Sequence, residues 1–206
     1  PAGILCASTA AGPAFEAGGI RRGMRAGDGA IDHATVDGEA IHCHVLGGGE
    51  AHGICGSGLV DTVAAALDLG LIRLNGRLVS GKEIPLRDGV SLFQSDVRQL
   101  QLAKGAAAAA LALLGGGGTQ LYLAGAFGNY LREAGARRIG LLPGASQVTP
   151  SGNTALRGVR QLLLQHKRRD EMVRAVLNRT THVELAADPR FQDAFADHMS
   201  LGPSGG

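Results

Sequence analysis

Two glycine-rich turns, each placed directly ahead of a helical pattern, constrain this chain most. The first, Gly53-Ile-Cys-Gly-Ser-Gly58, precedes Leu59, Val63, Leu67 and Leu71. That four-residue spacing predicts an amphipathic helix over 57–71, with Ser57 as its N-cap. The second lies within Leu121-Tyr-Leu-Ala-Gly-Ala-Phe-Gly-Asn129. Here an apolar strand over 120–124 breaks at Gly125 into a small-residue turn, and Gly128 opens a helix. Missing side chains let backbone approach a flat ligand or a phosphate, and a helix N-terminus offers N–H groups to negative charge. Tight packing of a helix on its neighbour accounts for the same glycines. The first turn fits neither the dinucleotide fingerprint, the P-loop nor the hydrolase nucleophile elbow.

Other segments extend the alternation of strand and helix. Residues 4–8 read as a buried strand and 12–24 as a turn with a short helix. Residues 30–36 and 40–45 read as a hairpin around Asp37-Gly38, and 74–92 as turn-rich with short strands at most. A second long helix opens at Ser95-Asp96, with Val97, Leu100, Ala103, Ala107, Leu111 and Leu114 on its apolar face, and ends in the glycines 115–118. Further on come a short helix and connector over 129–140, a strand over 147–149 and helices over 153–166 and 168–178. A last strand over 182–185 leads to a helix capped by Asp188-Pro189. It carries Phe191, Ala194, Phe195 and Met199 on one side. The order predicts an α/β fold.

Composition removes several classes of function. A formal net charge of +2 and an aromatic fraction of 3% without tryptophan leave no basis for nucleic-acid binding. No apolar run approaches the ~20 residues of a membrane helix, and no basic leader precedes the first strand. Cys6, Cys43 and Cys55 are odd in number and far apart, which points to a reducing, cytoplasmic setting. The start at Pro1, without methionine and inside what reads as a strand, suggests a fragment.

Few side chains suggest chemistry by themselves. Arg98, Gln101 and Lys104 share a helix stripe that suits either a ligand edge or a solvated face. His42 and His44 share a strand face near His52, without the further ligands a metal site needs. Lys167-Arg-Arg169 reads as a solvated helix start, and Glu16 is the best lone acidic candidate. No paired carboxylates and no nucleophile–base pair emerge.

Taken in order, however, several motifs form one set. They are Ala10-Ala-Gly-Pro-Ala-Phe-Glu16, Gly23-Met-Arg-Ala26, Gly53-Ile-Cys-Gly-Ser-Gly-Leu59, Asp96-Val-Arg-Gln-Leu-Gln-Leu-Ala-Lys104, Leu123-Ala-Gly-Ala-Phe-Gly-Asn-Tyr130, Ile139-Gly-Leu-Leu-Pro143 and Val183-Glu-Leu-Ala186. The set resembles the C-terminal domain of the reductive activators of corrinoid proteins. Those proteins belong to the superfamily of acetate and sugar kinases, heat-shock chaperone ATPases and actin. The resemblance runs over 7–199 and implies a ribonuclease-H-like half of an actin-like ATPase fold over 1–206, with a smaller α/β subdomain inserted at about 30–115.

It also implies ATP with Mg²⁺ as the cofactor of the intact protein. Gly125, Ala126, Phe127 and Gly128 would form the adenosine-contacting turn, Arg98, Gln101 and Lys104 would face base or ribose, and Gly56 and Ser57 would lie near the nucleotide or the hinge. A [2Fe-2S] cluster would sit in an N-terminal domain, and the partner would be a Co(II) corrinoid protein of a methyltransferase system. Whether the parent is a homodimer stays open. Neither the ferredoxin cysteines nor the Asp-x-Gly-Thr phosphate hairpins occur in this chain, so only the adenosine side is expected, without catalytic residues. A small-molecule kinase of the same superfamily and a non-catalytic docking module for a corrinoid protein are the alternatives.

Overall fold

Two hairpins and two long helices form the best-packed part of the chain. The computed structural model describes residues 3–115 and 120–203. β2 (Ala30–Asp37) and β3 (Ala40–Val45) pair antiparallel, with Asp37 opposite Ala40 and Gly38 in the left-handed region of the turn. The short β4 (Gly53–Ile54) adds to β2 in parallel, and α1 (Gly56–Asp68) packs across β2. β1 (Ile4–Cys6) lies upstream of this unit.

The expected amphipathic helix is thus present, but its environment differs from the one its pattern predicts. Every residue from Gly56 to Leu67 is buried, since β2, α4 (Glu133–Arg138) and the 3₁₀ turn Ala14–Glu16 cover several of its faces. Its N-cap is Cys55. Ser57 lies one residue inside the helix and donates instead to the Asp32 carbonyl, at 3.0 Å.

β5 (Glu83–Arg87) and β6 (Val90–Phe93) form the second hairpin within the turn-rich stretch. Asp88 and Gly89 both take positive φ at its tip, the backbone that Asp-Gly favours in tight hairpins. α2 (Gln94–Leu113) follows directly. The Asp96 carboxylate accepts from the Phe93 and Arg21 backbone N–H groups, each at 3.0 Å, and so fixes the start of α2 against the 12–24 segment. Small residues in the middle of α2 allow α7 (Arg190–Asp197) to approach closely. A Cβ on Gly105 would stand 3.0 Å from Met199 Sδ. Gly115 follows α2 with positive φ, while the expected stop at 116–118 lies outside the described residues.

β7 (Gln120–Ala124) runs parallel to β8 (Gln147–Gly152), and α3 (Gly125–Tyr130) starts where β7 ends. Asn153 caps α5 (Thr154–Leu164) by accepting from Leu156 N at 2.9 Å, and α6 (Arg169–Leu177) comes next. The last strand, β9 (Thr180–His182), begins before the expected 182–185, and Leu185 lies in a 3₁₀ turn. β9 pairs in parallel with β1. β1 is not the buried strand its sequence suggests: Ile4 and Leu5 are exposed, because β9 is its sole strand partner among the described residues. Asp188 contributes its cap from one residue further back, accepting from Arg190 N at 2.9 Å, with Pro189 in the N-cap position. No helix among the described residues is long and apolar enough to cross a membrane.

Candidate functional site

The two glycine-rich turns of the sequence meet in one cleft of about 620 Å³. The turn into α1 supplies Cys55, Gly56 and Ser57, and the turn into α3 supplies Ala126, Phe127 and Tyr130. A third wall comes from the 12–26 segment, through Phe15, Glu16 and Met24, and Asp32 of β2 contributes its edge. Phe15 stacks on Phe127 with ring centroids 4.6 Å apart. Gly56 is required by that contact, since a Cβ there would lie 1.8 Å from the Phe15 carbonyl oxygen. The expected site glycines of the second turn, exposed Gly125 and buried Gly128, do not line the cleft. Gly125 adopts a φ of 88°, and Gly128 is buried against Leu123.

From Asp32 runs a chain of polar side-chain contacts. The Asp32 carboxylate meets His44 Nδ1 at 2.6 Å and His33 Nε2 at 3.5 Å. His33 Nδ1 lies 3.2 Å from the Asp61 carboxylate, which is 3.6 Å from the Arg132 guanidinium. Asp61, on α1, is 3% exposed. Burial is the main influence on its carboxyl and raises its pKa above the usual 3.8, although Arg132 and His33 pull the other way. A raised pKa means that the folded state holds the proton more tightly than the unfolded state. Stability linked to Asp61 is therefore highest in acid and falls as pH rises from 3.8. Asp61→Asn keeps the shape and cannot ionise. Its stability relative to wild type is expected to improve as pH rises above 3.8 in urea melts at stepped pH; a constant difference would remove Asp61 from the linkage.

Of the residues singled out in the sequence, Gly56, Ser57, Ala126 and Phe127 line this cleft together. Arg98 is exposed on α2 and does not line it. Gln101 and Lys104 are buried away from it. The Gln101 amide donates to Asn75 O at 3.1 Å and Met199 O at 2.9 Å. The Lys104 ammonium donates to His198 O and Ser200 O, both at 2.5 Å. Phe15 and Asp32 were not singled out. Phe15 is visible within the Ala10–Glu16 motif, whereas nothing in the sequence around Asp32 marks it. Among the described residues, no group of three or more His, Cys, Asp or Glu side chains is arranged to hold a metal ion.

The cleft suits a flat, weakly polar group. Phe127, Ala126 and Tyr130 give it an apolar wall, Asp32, Glu16 and Ser57 a polar edge, and among the described residues Arg25 is the one Lys or Arg lining it. This lining fits a nucleoside better than a triphosphate, whose charge calls for several donors.

Residues 2–205 match the model of the family described as the C-terminal domain of RACo, the ASKHA domain. The chain belongs to this family. Its fold is accordingly that of the actin-like ATPases, the class the motif order implied. Among curated proteins it is similar to the corrinoid activation enzyme RamQ of Eubacterium limosum, with 34% identity over 95% of this chain and 39% of the relative. It is also similar to the [Co(II) methylated amine-specific corrinoid protein] reductase of Methanosarcina barkeri, with 32% identity over 98% of this chain and 43% of that protein. Among solved structures, a reductive activator for corrinoid, iron-sulfur protein matches with a TM-score of 0.79 and 29% identity, over 96% of this chain and 36% of the other. The chain thus spans about two fifths of the length of the curated relatives it matches.

Proposed function

We propose that this RACo-family domain supplies the adenosine side of an ATP site in a protein that reactivates a corrinoid protein from its Co(II) state. The observation that carries this reading is the convergence of the turns at Gly56-Ser57 and Ala126-Phe127 on one apolar-walled cleft. Phe127, held by stacking on Phe15, offers an aromatic surface for the base. Asp32, anchored through His44, and Glu16 offer acceptors to ribose hydroxyls or the exocyclic amine. The phosphates with Mg²⁺ and the [2Fe-2S] cluster belong to the remainder of the protein, corresponding to the part of the relatives this chain does not cover. The reaction is transfer of one electron from the cluster to Co(II), an uphill step that ATP binding and hydrolysis help drive.

Ala126 is exposed, so a larger side chain there fills the cleft without disturbing the core. Ala126→Leu is expected to weaken Mg-ATP binding roughly tenfold or more, with the melting temperature unchanged. Calorimetric titration of the full protein checks this. Equal affinity in variant and wild type would remove adenosine from this cleft.

A further inference from the structure

A second concavity, of about 590 Å³, opens between the start of α2, the 73–82 segment and Arg21. It shares no lining residue with the first cleft. Four cationic side chains line it, Arg21, Arg73, Arg77 and Lys82, and among the described residues no acidic side chain does. Several arginines elsewhere on the surface of this protein meet carboxylates, among them Arg137 with Glu133, Arg138 with Asp68 and Arg190 with Asp188. Among the described residues, none of the four cations in this concavity forms an ion pair with a carboxylate. Like charges gathered in one hollow repel one another, and an anion placed among them relieves that repulsion.

The frame of the hollow is fixed. Gln94 accepts from Leu78 N at 2.9 Å and donates to Gly76 O at 2.8 Å, which ties the 73–82 segment to the first residue of α2. Asp96 holds the Arg21 backbone, and the Arg21 guanidinium lies 4.3 Å from the centroid of the Phe93 ring. The cations therefore project from an ordered rim, and little ordering is left for a ligand to impose. Ser80 adds a hydroxyl to the lining, while the Ser95 hydroxyl donates to the Asp96 carboxylate at 3.3 Å.

We infer that this hollow is a binding site for a multivalent oxyanion of the phosphate class, such as a diphosphate. Arginine forks match phosphate oxygens in pairs, several donors converge, and the volume lies within the range of small-ligand pockets. The inference does not depend on the adenosine reading of the first cleft.

Inorganic pyrophosphate titrated into the full protein by calorimetry tests it, using wild type, Arg73→Gln/Arg77→Gln and Ala126→Leu. One saturable event per chain is expected from the hollow, beside any at the phosphate site of the remainder. It should weaken roughly tenfold or more in the double arginine variant, remain unchanged in Ala126→Leu, and weaken with added salt. Both arginines are exposed, so the double variant should melt as wild type does. ATP added as a competitor separates two sources of the same chemistry. Displacement of pyrophosphate assigns the hollow to a nucleotide's phosphate tail, and its absence assigns it to a free oxyanion. Absence of saturable binding, or equal binding by the double arginine variant, overturns the inference. Loss of binding in Ala126→Leu also overturns it, by moving the anion to the first cleft.

Discussion

Gly56→Val is expected to lower the stability of this domain by about 3 kcal/mol, at the upper end of what overpacking a core costs. The position begins α1, where no residue except glycine fits. A Cβ would stand 1.8 Å from the Phe15 carbonyl oxygen and 2.7 Å from its carbon, which are backbone atoms that cannot swing aside. Phe15 belongs to the 3₁₀ turn Ala14–Glu16, whose Ala14 is 1% exposed, so displacing it disturbs the core as well. Valine then pushes its branches toward the Phe127 ring, 3.3 Å from the Cβ position, and spoils the Phe15–Phe127 stack. For a chain of this length 3 kcal/mol corresponds to a melting temperature lower by roughly 6–12 °C. Nucleotide affinity should fall in the same variant, since the aromatic wall moves. A thermal melt beside an ATP titration tests both, and an unchanged melting temperature would mean that Phe15 does not pack on α1 in solution.

That glycine also illustrates how far the sequence could be read. The two turns were legible because each one couples a short apolar run to a helical repeat, a local signal. Their meeting in one cleft is a tertiary fact, and neither turn carried it alone. The order of the motifs, through the family they resemble, supplied the fold class. Asp88-Gly89 marks a hairpin as plainly as any dipeptide, and the short strands expected there are β5 and β6; their pairing went unread because Pro85 and the surrounding turn residues obscure their alternation. Ser57 had the chemistry of an N-cap. Burial of the whole α1 start, and an open acceptor on Asp32, turned its hydroxyl inward. Asp32, His33, Asp61 and Arg132 come from three separated segments, and no spacing could have revealed their chain of contacts. The stripe of Arg98, Gln101 and Lys104 was legible as a helix face. What that face met was not, because its acceptors are backbone carbonyls distant in sequence, Asn75 before it and Met199, His198 and Ser200 some 95 residues later.

Lys104→Ala is accordingly expected to cost stability, by about 3 kcal/mol. The side chain is fully buried on α2, and its ammonium satisfies the carbonyls of His198 and Ser200. Truncation leaves a cavity and two acceptors without their donor, each a recognised penalty. Part of the loss is offset because burial of the ammonium is itself unfavourable and lowers its pKa from 10.5 to about 8. That shift gives the residue a signature in pH. Between about pH 8 and 10.5 the unfolded chain holds the proton that the folded amine has lost, so stability attributable to Lys104 rises with pH in this window. The neutral amine still has two N–H bonds for the two carbonyls. His198 is the titratable neighbour, its imidazole held below the usual value by burial and by the Lys104 charge, while Asp197 pulls in the opposite direction. Denaturant melts of wild type and Lys104→Met at pH 7.5, 9 and 10 isolate the effect, since methionine fills the same space without titrating. The gap between them should shift toward wild type as pH rises. A gap independent of pH, or Lys104→Ala melting as wild type does while losing nucleotide, would take Lys104 out of the fold and return it to the ligand.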